Sequence, residues 1–313
     1  MSQVRADAAP TALPALAEHQ SRTPWVDLRS RLLRNRLSAF GMFGIILLLA
    51  IALIGPLLAP YDPAAPSPAR LQPPTLQHLM GTENLGRDVF SRFLYGTRVS
   101  LFVGLGSVAF GLIIGALLGM LAGLRAGSLW DTLIMRAMDV VLAFPLLVLV
   151  PVLAGVLQTR TIQLGPIGLN SIAVVGLAIG LVSAPVFARV ARASVLAEMR
   201  EDYIMAARSF GAAGRDLLFG NLLPNIQAPL IVQSAFSLAI AIAAEAAVSF
   251  LGLGVQPPDS SWGNMLADAR RFVIAGAWWL VVFPSAGIAL AVLSFNLVGD
   301  VLRDVLDPRA ERN

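Results

Sequence analysis

The amino-acid sequence predicts an all-α, polytopic membrane protein with six transmembrane helices. Of its 313 residues, 57% are hydrophobic and only 13% are charged. A single soluble core could not bury that much apolar surface, whereas lipid is a natural solvent for it. The sequence also contains six stretches of about 20 residues or more without a charged residue, and helices of that length cross the hydrocarbon core of a membrane.

The predicted spans follow the uncharged stretches. We expect the third span to begin earlier than its stretch, near Thr132 or Leu133, because Arg136 and Asp139 can lie at the interfacial end of a helix. Polar turn residues between the third and fourth stretches separate these two spans. The six stretches are residues 37–61, 99–124, 140–159, 161–188, 217–244 and 272–299.

The arginines predict how the chain is oriented, because basic residues are retained in short cytoplasmic loops. With the N-terminus inside, 16 arginines fall on the cytoplasmic side and seven fall outside. Residues 1–36 then form a cytoplasmic tail without a cleavable signal peptide, and residues 37–60 form an uncleaved first transmembrane helix. Residues 300–313 form a second cytoplasmic tail, so both termini are expected in the cytoplasm.

The composition excludes several kinds of chemistry. The chain has no lysine and no cysteine. It therefore lacks the lysine of a P-loop, the amine of a Schiff-base enzyme and the thiolate of a cysteine site. No catalytic residue, bound cofactor or metal site is expected. The net charge of +4 does not indicate a nucleic-acid partner, because the arginines lie in loops between apolar stretches rather than on one amphipathic face.

Two predicted outer segments are longer than simple turns. The first, residues 61–98, follows the first span. The proline-rich stretch between Pro60 and Pro74 cannot form a helix and is expected to run extended across the outer surface. Residues 253–278 contain three tryptophans, which are typical of interfacial anchoring or of a re-entrant segment; they are Trp262, Trp278 and Trp279.

Glycines recur every four residues in the second span, so they share one helix face and allow another helix to approach closely. Helix packing is the simpler interpretation, and a moving or pore-lining face is the alternative. The glycines are Gly111, Gly115, Gly119 and Gly123. In the third span, Pro145 and Pro151 predict a kink or a break.

Isolated polar residues predict structural roles. Glu245 is expected near the outer end of the fifth span, where it could pair with Arg98 or Arg271. A structural or gating role is favoured, and cargo binding is the alternative. Arg136 and Asp139 are three residues apart and are expected to pair with each other or across a subunit boundary. His78 has no neighbouring ligand type in the sequence, so a structural role is favoured over metal binding; it lies outside the predicted spans.

The predicted cytoplasmic loop, residues 189–216, has the pattern of short helices. A first short helix near residues 201–210 can end at Gly211, because glycine tolerates a left-handed cap. Ala206 and Ala207 leave a flat surface on it. A second short helix is predicted from Gly214, and Pro224 fits the first turn of the fifth span. The alternative is a helix pair that merely connects two spans.

Residues of this loop resemble the cytoplasmic motif of ABC importer permeases. The matching residues are Ala206, Ala207, Gly211, Leu223 and Pro224, whereas Met205 stands where the general motif has glutamate. Three further stretches are similar to the C-type permease subunit of dipeptide, oligopeptide and nickel importers. They are residues 78–101 (HLMGTENLGRDVFSRFLYGTRVSL), 245–266 (EAAVSFLGLGVQPPDSSWGNML) and 295–309 (FNLVGDVLRDVLDPR).

The resemblance implies a type I ABC importer permease fold in a bacterial inner membrane. Residues 99–299 would form a five-helix core, with the loop 189–216 coupling it to ATPase subunits. The residues implied in that contact are Tyr203, Ala206, Ala207, Arg208, Gly211, Ala212, Leu223 and Pro224.

The resemblance also implies the partners of the chain. They are a second, homologous permease subunit in a heterodimer, two ATPase subunits that bind ATP and Mg²⁺, an extracytoplasmic solute-binding protein and membrane lipid. The expected cargo is a dipeptide, an oligopeptide or a related small solute. An ATP-independent secondary transporter or channel is the alternative function, and an intramembrane enzyme is a third possibility.

Overall fold

Helices long enough to cross a membrane make up most of the structure, which is a computed structural model describing residues 36–159, 163–164, 167–168, 170–212 and 214–306. The predicted tail up to residue 35 and the end of the C-terminal tail, residues 307–313, lie outside the described residues. The helices are α1 (Arg36–Leu58), α2 (Val89–Leu124), α3 (Leu129–Leu142), α4 (Leu146–Thr159), α5 (Ser171–Glu198), α6 (Asp202–Ser209), α7 (Gly214–Asp216), the π-helical segment π1 (Leu217–Leu222), α8 (Leu223–Phe250), α9 (Trp262–Ala269) and α10 (Trp279–Leu306). Strands β1 (Gln163–Leu164) and β2 (Ile167–Gly168) form a short antiparallel pair.

The membrane spans agree with the all-α prediction. Among the described residues, five helical stretches are long and apolar enough to cross a membrane; they are α1, α2, α5, π1 with α8, and α10. A sixth span is present if α3 and α4 form one, but these two helices meet at a bend of 99°. The predicted single third span is therefore broken. Pro145 lies at the break, where its ring and its missing N–H prevent a continuous helix.

Two helices do not begin at the first residue of their uncharged stretch. Each begins where the preceding side chain caps the helix N-terminus. Asp88 begins α2 at Val89, since its side chain accepts a hydrogen bond from the Ser91 amide at 2.7 Å. In the same way, the Asn170 side chain accepts from the Ala173 amide at 2.9 Å and begins α5 at Ser171. Absence of charge located the hydrophobic segments but not their first residues.

The glycine face of α2 packs against α5. A methyl group added at Gly115 or at Gly119 would lie 2.2 Å from the carbonyl oxygen of Ala184 or Ala188, respectively. At Gly111 it would lie 2.3 Å from the Ser183 hydroxyl, and at Gly123 it would lie 2.8 Å from the Val195 side chain. The two backbones can approach this closely only because these α2 positions lack a side chain.

Helix α5 is the centre of the bundle. Its apolar side chains include Val175, Phe187 and Ala191, which are fully buried in the largest hydrophobic cluster. By contrast, α1 lies at the edge and contacts α2 and α10, where Gly44 faces the Ser294 side chain. Its remaining surface carries exposed apolar residues such as Leu57, which is 85% exposed. Such a surface fits contact with lipid chains.

The proline-rich segment after α1 does not run extended across the surface as predicted. It folds back on the chain that leads into α2. The Ser67 amide donates to the Leu85 carbonyl at 3.2 Å, and the Thr82 amide donates to the Gln72 carbonyl at 2.9 Å. The indole N–H of Trp279 donates to the Thr82 carbonyl at 3.1 Å and joins the segment to α10. Prolines prevented a helix here, but backbone groups on the other residues still found partners.

Two of the three tryptophans predicted at an interface are buried. Trp262 is fully buried and Trp279 is 6% exposed, whereas Trp278 is 53% exposed. Trp262 begins α9 and packs against α2 and α10, where a methyl group at Gly287 would lie 2.9 Å from its ring. The start of α9 therefore packs between α2 and α10, while the interfacial or re-entrant placement of residues 253–278 stays a prediction.

The predicted second short helix is not a separate element. Helix α7 continues through π1 into α8, and the Leu223 amide donates to the Leu218 carbonyl, five residues earlier. Pro224 is the second residue of α8 and has no amide hydrogen to continue an α-helical ladder. A π-helical turn just before a proline fits this loss of a donor.

We predict that Gly119→Leu destabilises the folded protein, because the new side chain would meet the α5 backbone at Ala188. The expected loss is about 1–3 kcal/mol or more, since a backbone carbonyl cannot move aside as a side chain can. Thermal unfolding in detergent measures it.

The matched control is Gly106→Leu on the same helix, where an added methyl group would meet nothing within 4 Å. Equal unfolding temperatures for the two variants would contradict the assignment of the glycine face to close packing.

Candidate functional site

The segment between α5 and α7, residues 199–212, is the first part of the candidate site. Its helix, α6, ends at a sharp reversal. The Gly211 amide donates to the Arg208 carbonyl at 2.9 Å, and the Ala212 amide donates to the Ala207 carbonyl at 3.0 Å. This pair of bonds needs a left-handed residue, and Gly211 supplies it with a φ of 89°. The geometry accounts for glycine at this position.

One buried side chain holds α6 against the bundle. Ile204 is fully buried in the largest hydrophobic cluster. Most of its neighbours point outward: Tyr203 is 42% exposed, Met205 is 55% exposed and Phe210 is 92% exposed. Ala206 and Arg208 are also exposed, whereas Ala207 and Ala212 are half-buried. The outward face thus combines small and apolar groups, which suits contact with another protein.

The hydroxyl of Tyr203 connects α6 to two spans. It donates to the Glu198 carboxylate at the end of α5 and accepts from Asn225 Nδ2 in the first turn of α8, at 2.9 Å. Burial and the hydrogen bond to Glu198 raise the pKa of Tyr203 to about 12. The hydroxyl is therefore protonated at neutral pH and can donate. Sequence reasoning missed both Glu198 and Asn225.

The remaining motif residues lie at the start of α8. Leu223 is partly buried against the hydrophobic cluster, and Pro224 is exposed next to Asn225. The Asn225 side chain reaches Tyr203, so the structure brings both halves of the motif to the same end of the bundle. We refer to this end as the α6 end.

Ion pairs attach α3 to α5 near the α6 end. Arg192 Nε and Nη2 donate to the two carboxylate oxygens of Asp131 at 2.6 and 2.8 Å. Asp139 accepts from Arg189 Nη2 at 2.7 Å. The predicted pairing of Arg136 with Asp139 is therefore wrong. Spacing along α3 suggested it, but packing brings an arginine of α5 to Asp139 instead.

Glu245 lies toward the opposite end, which we call the α9 end, and is fully buried. The Ser100 hydroxyl donates to its Oε2 at 2.8 Å, and the Ser249 hydroxyl donates to its Oε1 at 2.7 Å. The predicted pairing with Arg98 or Arg271 is wrong, because both arginines are exposed on other faces of their segments. Serine hydroxyls, not cations, satisfy this carboxyl group.

The same serines connect Glu245 to the segment around α9. The Val255 amide donates to the Ser249 hydroxyl at 3.1 Å, and the Trp262 amide lies 3.4 Å from the Ser100 hydroxyl. Each serine therefore accepts from the α9 segment while donating to Glu245. The carboxyl group is the common acceptor of a buried network that joins α2, α8 and the start of α9.

A second network joins α9 to the beginning of α2. Glu83 accepts from Arg87 Nε at 2.7 Å and lies 3.1 Å from Arg92 Nη1. Arg92 also donates to Asp268 of α9 at 3.3 Å. Burial would raise the pKa of Glu83, but the Arg87 hydrogen bond and the charges of both arginines lower it overall. The spacing of Glu83 and Arg87 could have suggested their pair, whereas nothing in the sequence pointed to Asp268.

His78 has a partner that sequence reasoning missed. Its Nδ1 lies 2.9 Å from Asp88 Oδ1, and its ring lies 4.9 Å from the ring of Tyr61. Asp88 is the residue that caps α2, so the histidine supports the start of that helix. No cluster of three or more His, Cys, Asp or Glu side chains suited to a metal ion is present among the residues that the structure describes.

Comparisons with known proteins place these features in a family. Residues 115–312 match the binding-protein-dependent transport system inner membrane components, and residues 23–74 match the N-terminal transmembrane domain of oligopeptide transport permease C. The solved inward-facing MetNI methionine ABC transporter has a chain that is 22% identical and superposes with a TM-score of 0.53, over 68% of this chain and 95% of that one. At that identity the superposition supports the fold alone.

Full-length relatives are more similar. The di/tripeptide transport system permease protein DppC of Pseudomonas aeruginosa (strain UCBPP-PA14) is 44% identical over 88% of this chain and 89% of its own length. The dipeptide transport system permease protein DppC of Alkalihalophilus pseudofirmus is 40% identical over 96% of this chain and 95% of its own. The glutathione transport system permease protein GsiD of Pectobacterium atrosepticum is 40% identical over 95% of both chains. This multi-pass membrane protein therefore belongs to the binding-protein-dependent inner membrane components, as an ABC importer permease of the DppC and OppC type.

Proposed function

We propose that this chain is the permease subunit of an importer that moves dipeptides or oligopeptides, driven by separate ATPase subunits. The proposal depends on the exposed face of the α6 segment. The segment is anchored by buried Ile204 and exposes small and apolar side chains. The chain also matches the permease family along most of its length. The family match favours this function over an ATP-independent carrier or channel, and over an intramembrane enzyme.

The proposed organisation follows the family. Residues 37–60 are an extra helix before a five-helix core, residues 99–299. The loop 189–216 lies in the cytoplasm with both tails, residues 1–36 and 300–313. Residues 61–98 and 253–278 lie outside. The distribution of arginines supports this orientation, with 16 on the proposed inner side and seven on the other.

The proposed partners supply what this chain lacks. Two ATPase subunits bind ATP and Mg²⁺, since the chain has no lysine for a P-loop of its own. A second, homologous permease subunit completes a heterodimer, and an extracytoplasmic binding protein delivers the cargo. The names of the relatives, which mention dipeptides, di/tripeptides and glutathione, support a short peptide as that cargo.

In the proposed mechanism, the α6 segment docks in a groove on an ATPase subunit and transmits its movement. The docking face comprises Tyr203, Ala206, Ala207, Arg208, Gly211 and Ala212, with Leu223 and Pro224 beside it. Movement of α6 reaches α5 through the chain itself and through the bond between Tyr203 and Glu198. It reaches α8 through Asn225. Because α6 is hydrogen-bonded to both α5 and α8, its movement can shift the two spans together.

At the α9 end, we propose that Glu245 has a structural role in gating. Its network holds the α9 segment between α2 and α8, so that the outer segment follows the spans as they move. Arg136 takes no part in this network. We propose that the ion pair of Asp139 with Arg189 instead keeps α3 beside α5.

The coupling role predicts that Ala206→Glu uncouples transport from ATP hydrolysis. Ala206 is exposed, so the added carboxylate leaves the fold intact while placing bulk and an unpaired charge in the docking face. We expect ATP-dependent peptide uptake in proteoliposomes to fall at least about tenfold, which corresponds to about 1.4 kcal/mol of docking energy. Ala197→Glu is the control, since Ala197 is exposed near the end of α5 and outside the docking face. Normal uptake by Ala206→Glu would remove the coupling assignment.

The partner requirement predicts that the purified chain alone hydrolyses no ATP above background, because it has no phosphate-binding loop. A phosphate-release assay on the isolated permease, compared with the complete transporter, measures this. Turnover by the isolated chain would contradict the proposed division of labour.

The network around Glu245 predicts that Glu245→Leu loosens the α9 segment. Two buried serine hydroxyls would lose their acceptor, at a cost of about 1–3 kcal/mol for each unsatisfied group. Hydrogen exchange of the amides in residues 255–269 should accelerate, and stimulation of ATP hydrolysis by the binding protein should fall. Glu245→Gln retains one acceptor oxygen and should give a smaller change in hydrogen exchange and in stimulated ATP hydrolysis. Unchanged exchange in the leucine variant would show that Glu245 does not hold this segment.

A further inference from the structure

A cavity of about 680 Å³ opens beside the α6 segment. Leu121, Leu124 and Arg125 at the end of α2 form one wall, and Arg208 of α6 lies at its rim. The opposite wall is apolar and includes the half-exposed ring of Phe219 in π1. The cavity is thus bounded by the coupling segment on one side and by two spans on the others.

The two arginines at this cavity are both exposed. None of the ion pairs between the residues that the structure describes involves Arg125 or Arg208. The Arg208 guanidinium donates a weak hydrogen bond to the Met199 sulfur at 3.5 Å. Positive charge at the rim of an apolar cavity is complementary to a molecule with an anionic head and a hydrocarbon tail.

The level of the cavity supports the same ligand. Arg125 follows Leu124, the last residue of α2, and is the first charged residue after Arg98, so we place the cavity where the hydrocarbon region meets the polar headgroups. Leu121 is 43% exposed one turn deeper, at the level of the acyl chains. Basic pockets between spans on the cytoplasmic side suit anionic lipid headgroups.

We infer that this cavity binds one anionic phospholipid of the inner leaflet. The phosphate oxygens accept hydrogen bonds from Arg125 and from one edge of the Arg208 guanidinium, whose other N–H groups remain free for the ATPase subunit. An acyl chain lies against Leu121 and Phe219. The inference rests on the proposed placement of the α6 end in the cytoplasm. Because Arg208 belongs to α6 and Arg125 directly follows α2, the bound lipid joins the docking helix to the bundle and steadies it for the ATPase.

Other occupants fit the charges less well. The N-terminal tail carries five arginines within residues 1–35 and would be repelled by the rim. An acidic surface of an ATPase subunit could approach the arginines, but it would not need the apolar wall behind them. The experiment therefore also measures the association of the variants with the ATPase subunits.

The test uses the complete transporter in vesicles of phosphatidylethanolamine with increasing phosphatidylglycerol. Arg125→Gln removes one of the two rim charges, while Arg303→Gln removes the same charge from an exposed position at the end of α10 that does not line the cavity. One arginine near a membrane surface contributes about a fivefold change in affinity for anionic lipid. We expect Arg125→Gln to need about fivefold more phosphatidylglycerol for half-maximal ATP hydrolysis, and Arg303→Gln to behave like the unchanged protein.

Native mass spectrometry gives a readout that does not depend on ATP turnover. The unchanged transporter should retain one phosphatidylglycerol molecule that Arg125→Gln loses. Leu121→Trp, which fills the acyl part of the cavity and leaves both charges, should also lose it.

Equal retention and equal phosphatidylglycerol dependence in all variants would overturn the lipid site. So would weaker association of Arg125→Gln with the ATPase subunits in phosphatidylethanolamine alone, because the cavity would then belong to that partner. Failure of the proposed function is distinguishable, since it would appear as no ATP-dependent peptide uptake by the unchanged transporter whatever the lipid, while retention of phosphatidylglycerol is measured independently.

Discussion

The close contact between α2 and α5 is the constraint on which the rest of the structure depends. In lipid, apolar side chains gain little by leaving their surroundings for one another, so spans associate mainly through van der Waals contact and buried hydrogen bonds. The glycines of α2 permit that contact along most of the membrane, with Ala184 and Ala188 of α5 against them. Since α2 carries Ser100 in its first half and is followed directly by Arg125, its position also determines where the polar sites lie.

The two ends of the bundle are held together differently. At the α9 end, two buried networks of carboxyl groups, hydroxyls and arginines join α2, α8 and α9. At the α6 end, the short helix rests on buried Ile204 and on a tyrosine hydroxyl shared with α5 and α8. Buried polar networks restrict relative movement, while an exposed helix with few anchors can respond to a partner. This difference is consistent with the proposed function, in which an ATPase subunit acts on the α6 end and cargo arrives at the α9 end.

Two expected partners of individual polar residues were wrong, because the observed partners depend on how the helices pack. Asp139 pairs with Arg189, which is distant in sequence and adjacent in space, rather than with Arg136. Glu245 is satisfied by Ser100 and Ser249, although arginines seemed the obvious partners for a buried acid. Helix rotation decides which of two nearby residues faces inward: on α2, Ser100 is buried whereas Arg98 is exposed. The rotation is set by packing against other spans, and no local pattern contains it.

The sequence by itself determined the membrane environment, the all-α architecture, the apolar segments and the absence of a P-loop. It also predicted the glycine face and the end of α6 at Gly211, because composition, four-residue spacing and glycine's left-handed conformation are local properties. Tertiary structure alone decided the angle of 99° at the break predicted from Pro145, the burial of Trp262 against α2 and α10, and the partners of Glu245 and Asp139. These features depend on which surfaces meet when the helices pack, and residues far apart in the sequence supply those surfaces.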